Sequence, residues 1–231
     1  MNFSRTIQES GLLLLQGLQV TVVIALISIF FGTIIGFFTS LLSIAQSKIL
    51  RFISGIYIWA IRGTPMIVQA FIVYFGLPQL VQMFSPSFRI GADVAGAITL
   101  SLNAGAYLAE IFRGGICAVD RGQVEAARSL GLPSTRTMIR VVLPQAIKIA
   151  IPSMVNQFII TVKDTSILSV IGLADLVNKA KVYVGKSYQF FSTYILVAIY
   201  YLVVISILMV ISKHVEKKFN YERKDERKNY R

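Results

Sequence analysis

Cys117 is the only cysteine and His214 the only histidine, and charged residues make up just 15% of the 231. One thiol builds no disulfide scaffold. One histidine without a partner leaves no metal-ligand cluster and no Ser/His or Cys/His nucleophile pair, so the chain is not expected to be an enzyme by itself. Roughly a quarter of a soluble domain is charged, and this sequence falls well short of that. Intrinsic disorder is excluded from the other side, because 55% of the residues are hydrophobic. The charge that is present is lopsided, with 23 Lys and Arg against 11 Asp and Glu. These basic residues lie between apolar blocks and not in one soluble patch, which favours a lipid surface over nucleic acid.

A spanning helix needs about 20 apolar residues to cross roughly 30 Å of hydrocarbon. Five blocks qualify: residues 12–44, 52–84, 92–112, 147–171 and 190–211. The second is interrupted at Arg62-Gly63-Thr64-Pro65 and is read as one broken element. Residues 1–11 carry one arginine and no small-residue cleavage site after a short apolar core, so no removable signal peptide is expected. Cytoplasmic loops retain Lys and Arg. With the N-terminus outside, sixteen of them fall on the inner side and five on the outer. The expected fold is an all-α integral membrane helical bundle of five spans, one transmembrane domain over 1–231, with its N-terminus outside and its C-terminus cytoplasmic. The tail from 213 to 231 is basic, and reads as a helix extension or an end attracted to anionic lipid.

The polar loop over 113–146 is more than a connection. Val124 to Leu130 has strong helix formers, with Glu125 expected in the first turn, where a negative charge suits the helix dipole. Gly131 stops that helix, Pro133 cannot continue it, and Ser134 or Thr135 is expected to cap a second helix running through Arg136 to Val142. A loop that merely connected two spans would need none of this.

Glu125-Ala126-Ala127, then Gly131, then Val141-x-Leu143-Pro144 resembles the EAA loop of the membrane permease subunits of ATP-binding-cassette importers, with Val141 in place of the usual Ile. Arg62-Gly63-Thr64-Pro65, the run from Ala104 to Gly115, and Lys163-Asp164-Thr165-Ser166 are similar to the polar amino-acid branch of that family. The resemblance implies that the loop holds a coupling helix that docks in a groove of a separate ATPase subunit. Glu125 would face that ATPase or cap its own helix, Ala126 and Ala127 would permit close approach, and Gly131, Leu132 and Pro133 would form the turn. It further implies a bacterial cytoplasmic membrane, an extracytoplasmic substrate-binding protein, and a second, identical or similar permease subunit. ATP-Mg would sit on the partner ATPase, with no cofactor bound by this chain.

Val184-Gly185-Lys186-Ser187 imitates the end of a phosphate-binding loop, but position 180 is Ala180 where the first glycine belongs, and no apolar strand precedes it. Polar side chains inside spans are costly and worth locating. Asn103, Tyr107 and Glu110 share one helical face, and Gln157, Thr161 and Asp164 share another at the same spacing. These two stripes are expected to face one another and bind a small polar molecule, with Thr64 and Gln69 as additions. Glu110 and Asp164 would hold an ammonium or guanidinium group. Asn103, Gln157, Thr161 or the backbone N–H groups near Pro65 would take a carboxylate. The packing alternative pairs Glu110 with Arg113 and Asp164 with Lys163 or Arg62, and leaves Tyr107 as packing and Gln157 and Thr161 as interhelical glue. With the resemblance, these residues imply an importer permease for a polar amino acid, cationic ones included, working by alternating access. Its rival is a self-sufficient ion-coupled carrier using Asp164, Glu110 and Lys163.

Overall fold

The computed structural model describes the backbone of residues 3–229 and the side chains of residues 3–217. Helices account for every regular element among the described residues, in the order α1 Phe3–Ser43, α2 Lys48–Arg62, α3 Met66–Phe71, α4 Leu77–Gln82, α5 Ala92–Cys117, α6 Arg121–Ser129, α7 Ser134–Thr137, α8 Leu143–Asp164, α9 Leu176–Ser187 and α10 Phe190–Asn229. Four uninterrupted helical runs are long and apolar enough to cross a bilayer: Phe3–Ser43, Ala92–Cys117, Ser134–Ile171 and Phe190–Lys217. Lys48–Arg62 and Met66–Gln82 pass only as a pair, bent by 103° between them, and make a fifth if taken as one span.

The breaks have local causes. Gly63 closes α2 by donating its N–H to Trp59 O, and Pro65 disfavours a helical Thr64, so the chain turns before α3. π turns occupy Ile72–Gly76 and Met138–Val142, and each ends two residues before a proline, Pro78 and Pro144. A proline ring collides with the carbonyl four residues back and brings no N–H, and one wide turn absorbs both defects. The last turns of the fourth span tighten to a 3₁₀ segment, Thr165–Ile171, which Gly172 ends at φ +86°.

The bundle is organised around α1 and α5. The buried face of α1 carries Ser10, Gly17, Thr21, Ala25, Ser28, Gly32, Gly36 and Ser40, while Phe30, Phe31 and Phe38 point outward. A Cβ on Gly36 would stand 2.7 Å from Leu108 Cβ and 2.9 Å from Gly105 O, so the two helices touch nearly backbone to backbone. In lipid such contact, not the hydrophobic effect, is what holds spans together. Around this pair, α3 and the 3₁₀ segment pack against Ile24, Ala95 and Leu100, and α9 and α10 pack against Leu14.

The first apolar block is expected to begin near Leu12, but α1 begins at Phe3. Its polar first turns are satisfied by other elements: Tyr183 donates to Glu9 Oε2 at 2.8 Å, and Thr6 Oγ1 donates to Gln189 Oε1 at 2.5 Å. The basic tail from Lys213 begins as a continuation of α10. Its side chains beyond Lys217, and with them the expected attraction to lipid, lie outside the described residues.

Candidate functional site

The loop between α5 and α8 folds as a capped helix and turn, with boundaries that differ from expectation. Asp120 caps α6 by accepting from Gly122 N at 2.6 Å, so the helix starts at Arg121 and Glu125 falls beyond its first turn, exposed. At the other end Leu132 N donates to Ala127 O at 3.2 Å and Gly131 N to Arg128 O at 3.0 Å, with Gly131 at φ +81°. This is the Schellman pairing, and it requires a left-handed residue at the glycine. Neither Ser134 nor Thr135 caps the second helix: Pro133 occupies that position without a side-chain bond, and the Ser134 hydroxyl instead accepts from Arg128 Nη1. Ala126 is exposed, whereas Ala127 is buried, 7% accessible, on the side of α6 that meets the turn leading into α8. The surface offered outward is therefore Glu125, Ala126, Arg128, Leu130, Gly131 and Pro133, with Leu130 82% exposed.

Inside the spans, the predicted polar residues form two separate clusters. In the first, Gln69 Nε2 lies 2.7 Å from Ile61 O, 3.0 Å from Thr64 O and 3.0 Å from Thr64 Oγ1, while Gln69 Oε1 accepts from Asn103 Nδ2 at 3.1 Å. Gln69 thus spans the break between α2 and α3 and ties it to α5. Tyr57, which composition alone does not single out, adds a second tie by donating to Leu102 O at 2.6 Å. In the second cluster, Glu110 accepts from Arg113 Nη2 at 2.7 Å, Arg62 Nη1 stands 3.7 Å from the same carboxylate, and the Arg62 guanidinium lies 5.1 Å over the Tyr107 ring. Glu110 is held by two cations from its own chain.

Asn103, Gln157 and Thr161 are all buried, and Thr161 Oγ1 donates to Gln157 O at 2.9 Å within α8. Helices α5 and α8 run antiparallel: a Cβ on Gly96 would meet Leu168, and one on Gly115 would meet Ala146 O. In that register Asn103 shares the depth of Gln157 and Thr161. Glu110 and half-buried Asp164 lie toward opposite ends, roughly 17 Å apart along the axis at 1.5 Å per residue. The expected acidic pair therefore does not converge on one cation. Beyond Lys148, the polar residues that α8 turns outward are Ser153, Asn156 and Lys163, and they stand apart from the predicted stripes, because those stripes hold only residues able to face α5.

The decoy sequence around Lys186 lies within α9, a regular helix. The N-terminus of α9 is capped by Asp175, which accepts from Val177 N at 3.2 Å and Asn178 N at 3.0 Å. Burial pushes the Asp175 carboxyl up to about 6, and its two backbone donors pull against that rise.

Comparisons with known proteins agree with this architecture. Residues 28–221 match the family described as binding-protein-dependent transport system inner membrane component. The arginine transport system permease protein ArtQ of Bacillus subtilis is 39% identical over 218 residues, covering 94% of this chain and 97% of that protein. A crystal structure of an amino acid ABC transporter with histidines superposes with a TM-score of 0.86 at 35% identity, over 94% of this chain and 99% of that one. The MetNI methionine ABC transporter, at 20% identity, shares the fold with a TM-score of 0.76 over 91% of this chain and 97% of that one. The chain belongs to the family of binding-protein-dependent transport system inner membrane components, the multi-pass permease subunits of ATP-binding-cassette importers.

Proposed function

We propose that this chain is the permease subunit of an importer that carries a polar amino acid across the bacterial cytoplasmic membrane by alternating access, driven by a separate ATPase. The observation that carries the proposal is α6: a short helix capped at both ends, held off the apolar spans by a Schellman turn, and presenting Glu125, Ala126 and Leu130 outward. A rigid helix packed through Val124 against Val142 and Ala146 at the start of α8 can pass a push to the spans, whereas a slack loop cannot. ATP-Mg binds on the ATPase, a binding protein delivers substrate on the side of α9, and a second permease copy completes the path. The N-terminus lies outside and the C-terminus inside, as the charge bias favours.

The amino acid is taken near the depth of Asn103, Gln157 and Thr161, beside the break that Gln69 holds. Glu110 serves the Arg62 and Arg113 network, so a cationic side chain has Asp164 as its counter-charge. The test is ATPase activity of the complex reconstituted with its binding protein, across a panel of amino acids. Stimulation confined to polar members is expected. Equal uptake by vesicles lacking the ATPase subunit would establish the ion-coupled carrier instead.

A further inference from the structure

Helix α8 buries one side in the bundle, through Ala146, Ala150, Gln157, Ile159, Thr161 and Val162. The uncovered stripe holds Ser153, Asn156, Ile160 and Lys163, at spacings that keep them on one face. Outward faces elsewhere are different in kind: α1 shows Phe30, Phe31 and Phe38, and α10 shows Leu202, Val203 and Ile207.

Depth sharpens the contrast. Leu168 meets Gly96, about one turn in from the Ala92 end of α5, and Lys163 lies five residues deeper. Its Cα is therefore about 14 Å from that end, near the middle of a hydrocarbon layer about 30 Å thick. A lysine stem reaches roughly 6 Å, so snorkelling does not bring this ammonium to an interface. No carboxylate lies within ion-pair distance of the Lys163 ammonium among the described residues: the neighbouring Asp164 carboxyl feels its charge without forming a bridge, and the Ser166 hydroxyl donates to the Lys163 carbonyl. An ammonium at the bilayer centre is costly even on the most lenient scale, and such groups face water or a partner charge.

We propose that Ser153, Asn156 and Lys163 line the water-filled path of the assembled transporter, and that the Lys163 ammonium receives the carboxylate of the passing amino acid. This rests on the amino-acid permease reading above. A compact cation with three donors suits a carboxylate, the one group that every amino acid presents regardless of side chain. Lys163 therefore recognises the class, and side-chain choice is made by other residues. Asn156, two turns along the same stripe, offers the next polar contact.

The test uses the full complex in proteoliposomes on a Cys117→Ser background. Single cysteines replace Ser153, Asn156 and Lys163, with Phe30→Cys and Leu202→Cys as lipid-facing controls, and an impermeant cationic thiosulfonate is the probe. The stripe cysteines are expected to label at least tenfold faster than the controls. With Lys163 intact, a saturating transported amino acid should slow labelling at position 156 severalfold, while its decarboxylated amine should not. Lys163→Gln should raise the KM of uptake about tenfold for every transported amino acid, with Lys163→Arg recovering most of it. Stripe labelling as slow as the controls overturns the proposal, as does fast labelling at position 156 that no amino acid slows. If Lys163→Gln fails to assemble, the labelling arm decides alone. A wild-type complex without amino-acid uptake defeats the permease reading, whereas wild-type uptake with an unprotected position 156 defeats only this inference.

Discussion

Gln69 holds a 103° bend with one carboxamide, bonded on one side to Ile61 O and Thr64 and on the other to Asn103. Gln69→Leu leaves those partners unpaired where water is scarce, and each buried unsatisfied group costs about 1–3 kcal/mol. The thermal unfolding midpoint in detergent should fall clearly, with uptake falling too, whereas an unchanged midpoint would contradict the role as a staple. Asp175 carries a pH signature. Its folded carboxyl, at about 6, lies above the ordinary 3.8, so the native state holds the proton more tightly than the unfolded chain does. Its contribution to stability is present in full below about pH 4 and is lost as pH rises through about 6. Asp175→Asn keeps a capping oxygen and removes the buried charge. It should raise stability at pH 7 by up to about 3 kcal/mol and flatten the slope between pH 4 and 7, measured by thermal unfolding across that range.

At the scale of elements, two glycines carry distinct demands. Gly131 sits at φ +81° with open space where a side chain would begin, so Gly131→Ala costs only the left-handed backbone penalty, about 1 kcal/mol or slightly more. The expected result is normal assembly with weakened coupling, read as less uptake per ATP hydrolysed. Gly36 is the opposite case: its φ is ordinary, but Leu108 and Gly105 leave no room for a side chain. Gly36→Val forces α1 and α5 apart at a cost of about 1–3 kcal/mol, and should lower folded yield and melting midpoint. The spacing of small residues along α1 is present in the sequence, but hydropathy reads an apolar block without asking which face is narrow. The α6 helix is legible because Gly131 and Pro133 punctuate it. Its start lies three residues ahead of the run of strong helix formers, because Asp120, upstream of that run, supplies the cap.

At the scale of the whole molecule, the spans and their order are readable from apolar length, and the break at Gly63-Thr64-Pro65 from composition. The extent of α1 is not, since its first turns are polar and depend on Gln189 and Tyr183, over 170 residues away. The two polar stripes are genuine helical faces, yet spacing alone brings their carboxylates together by ignoring chain direction. Successive spans joined on one side of the bilayer run antiparallel, as α5 and α8 do, so residues that end both stripes in sequence end up far apart in depth. The outward polarity of Ser153, Asn156 and Lys163 emerges only when burial is known, because it is the complement of what α5 covers. On the proposal made above, force enters at α6 and acts at the polar faces of the spans. Leu130, 82% exposed at the end of α6, is the best reporter of that connection. The most direct measurement is photo-crosslinking from Leu130→Cys, on a Cys117→Ser background, in native membranes. An adduct with a nucleotide-hydrolysing subunit is the predicted result. Labelling of that cysteine from outside intact cells, or the absence of any such adduct, would contradict the account.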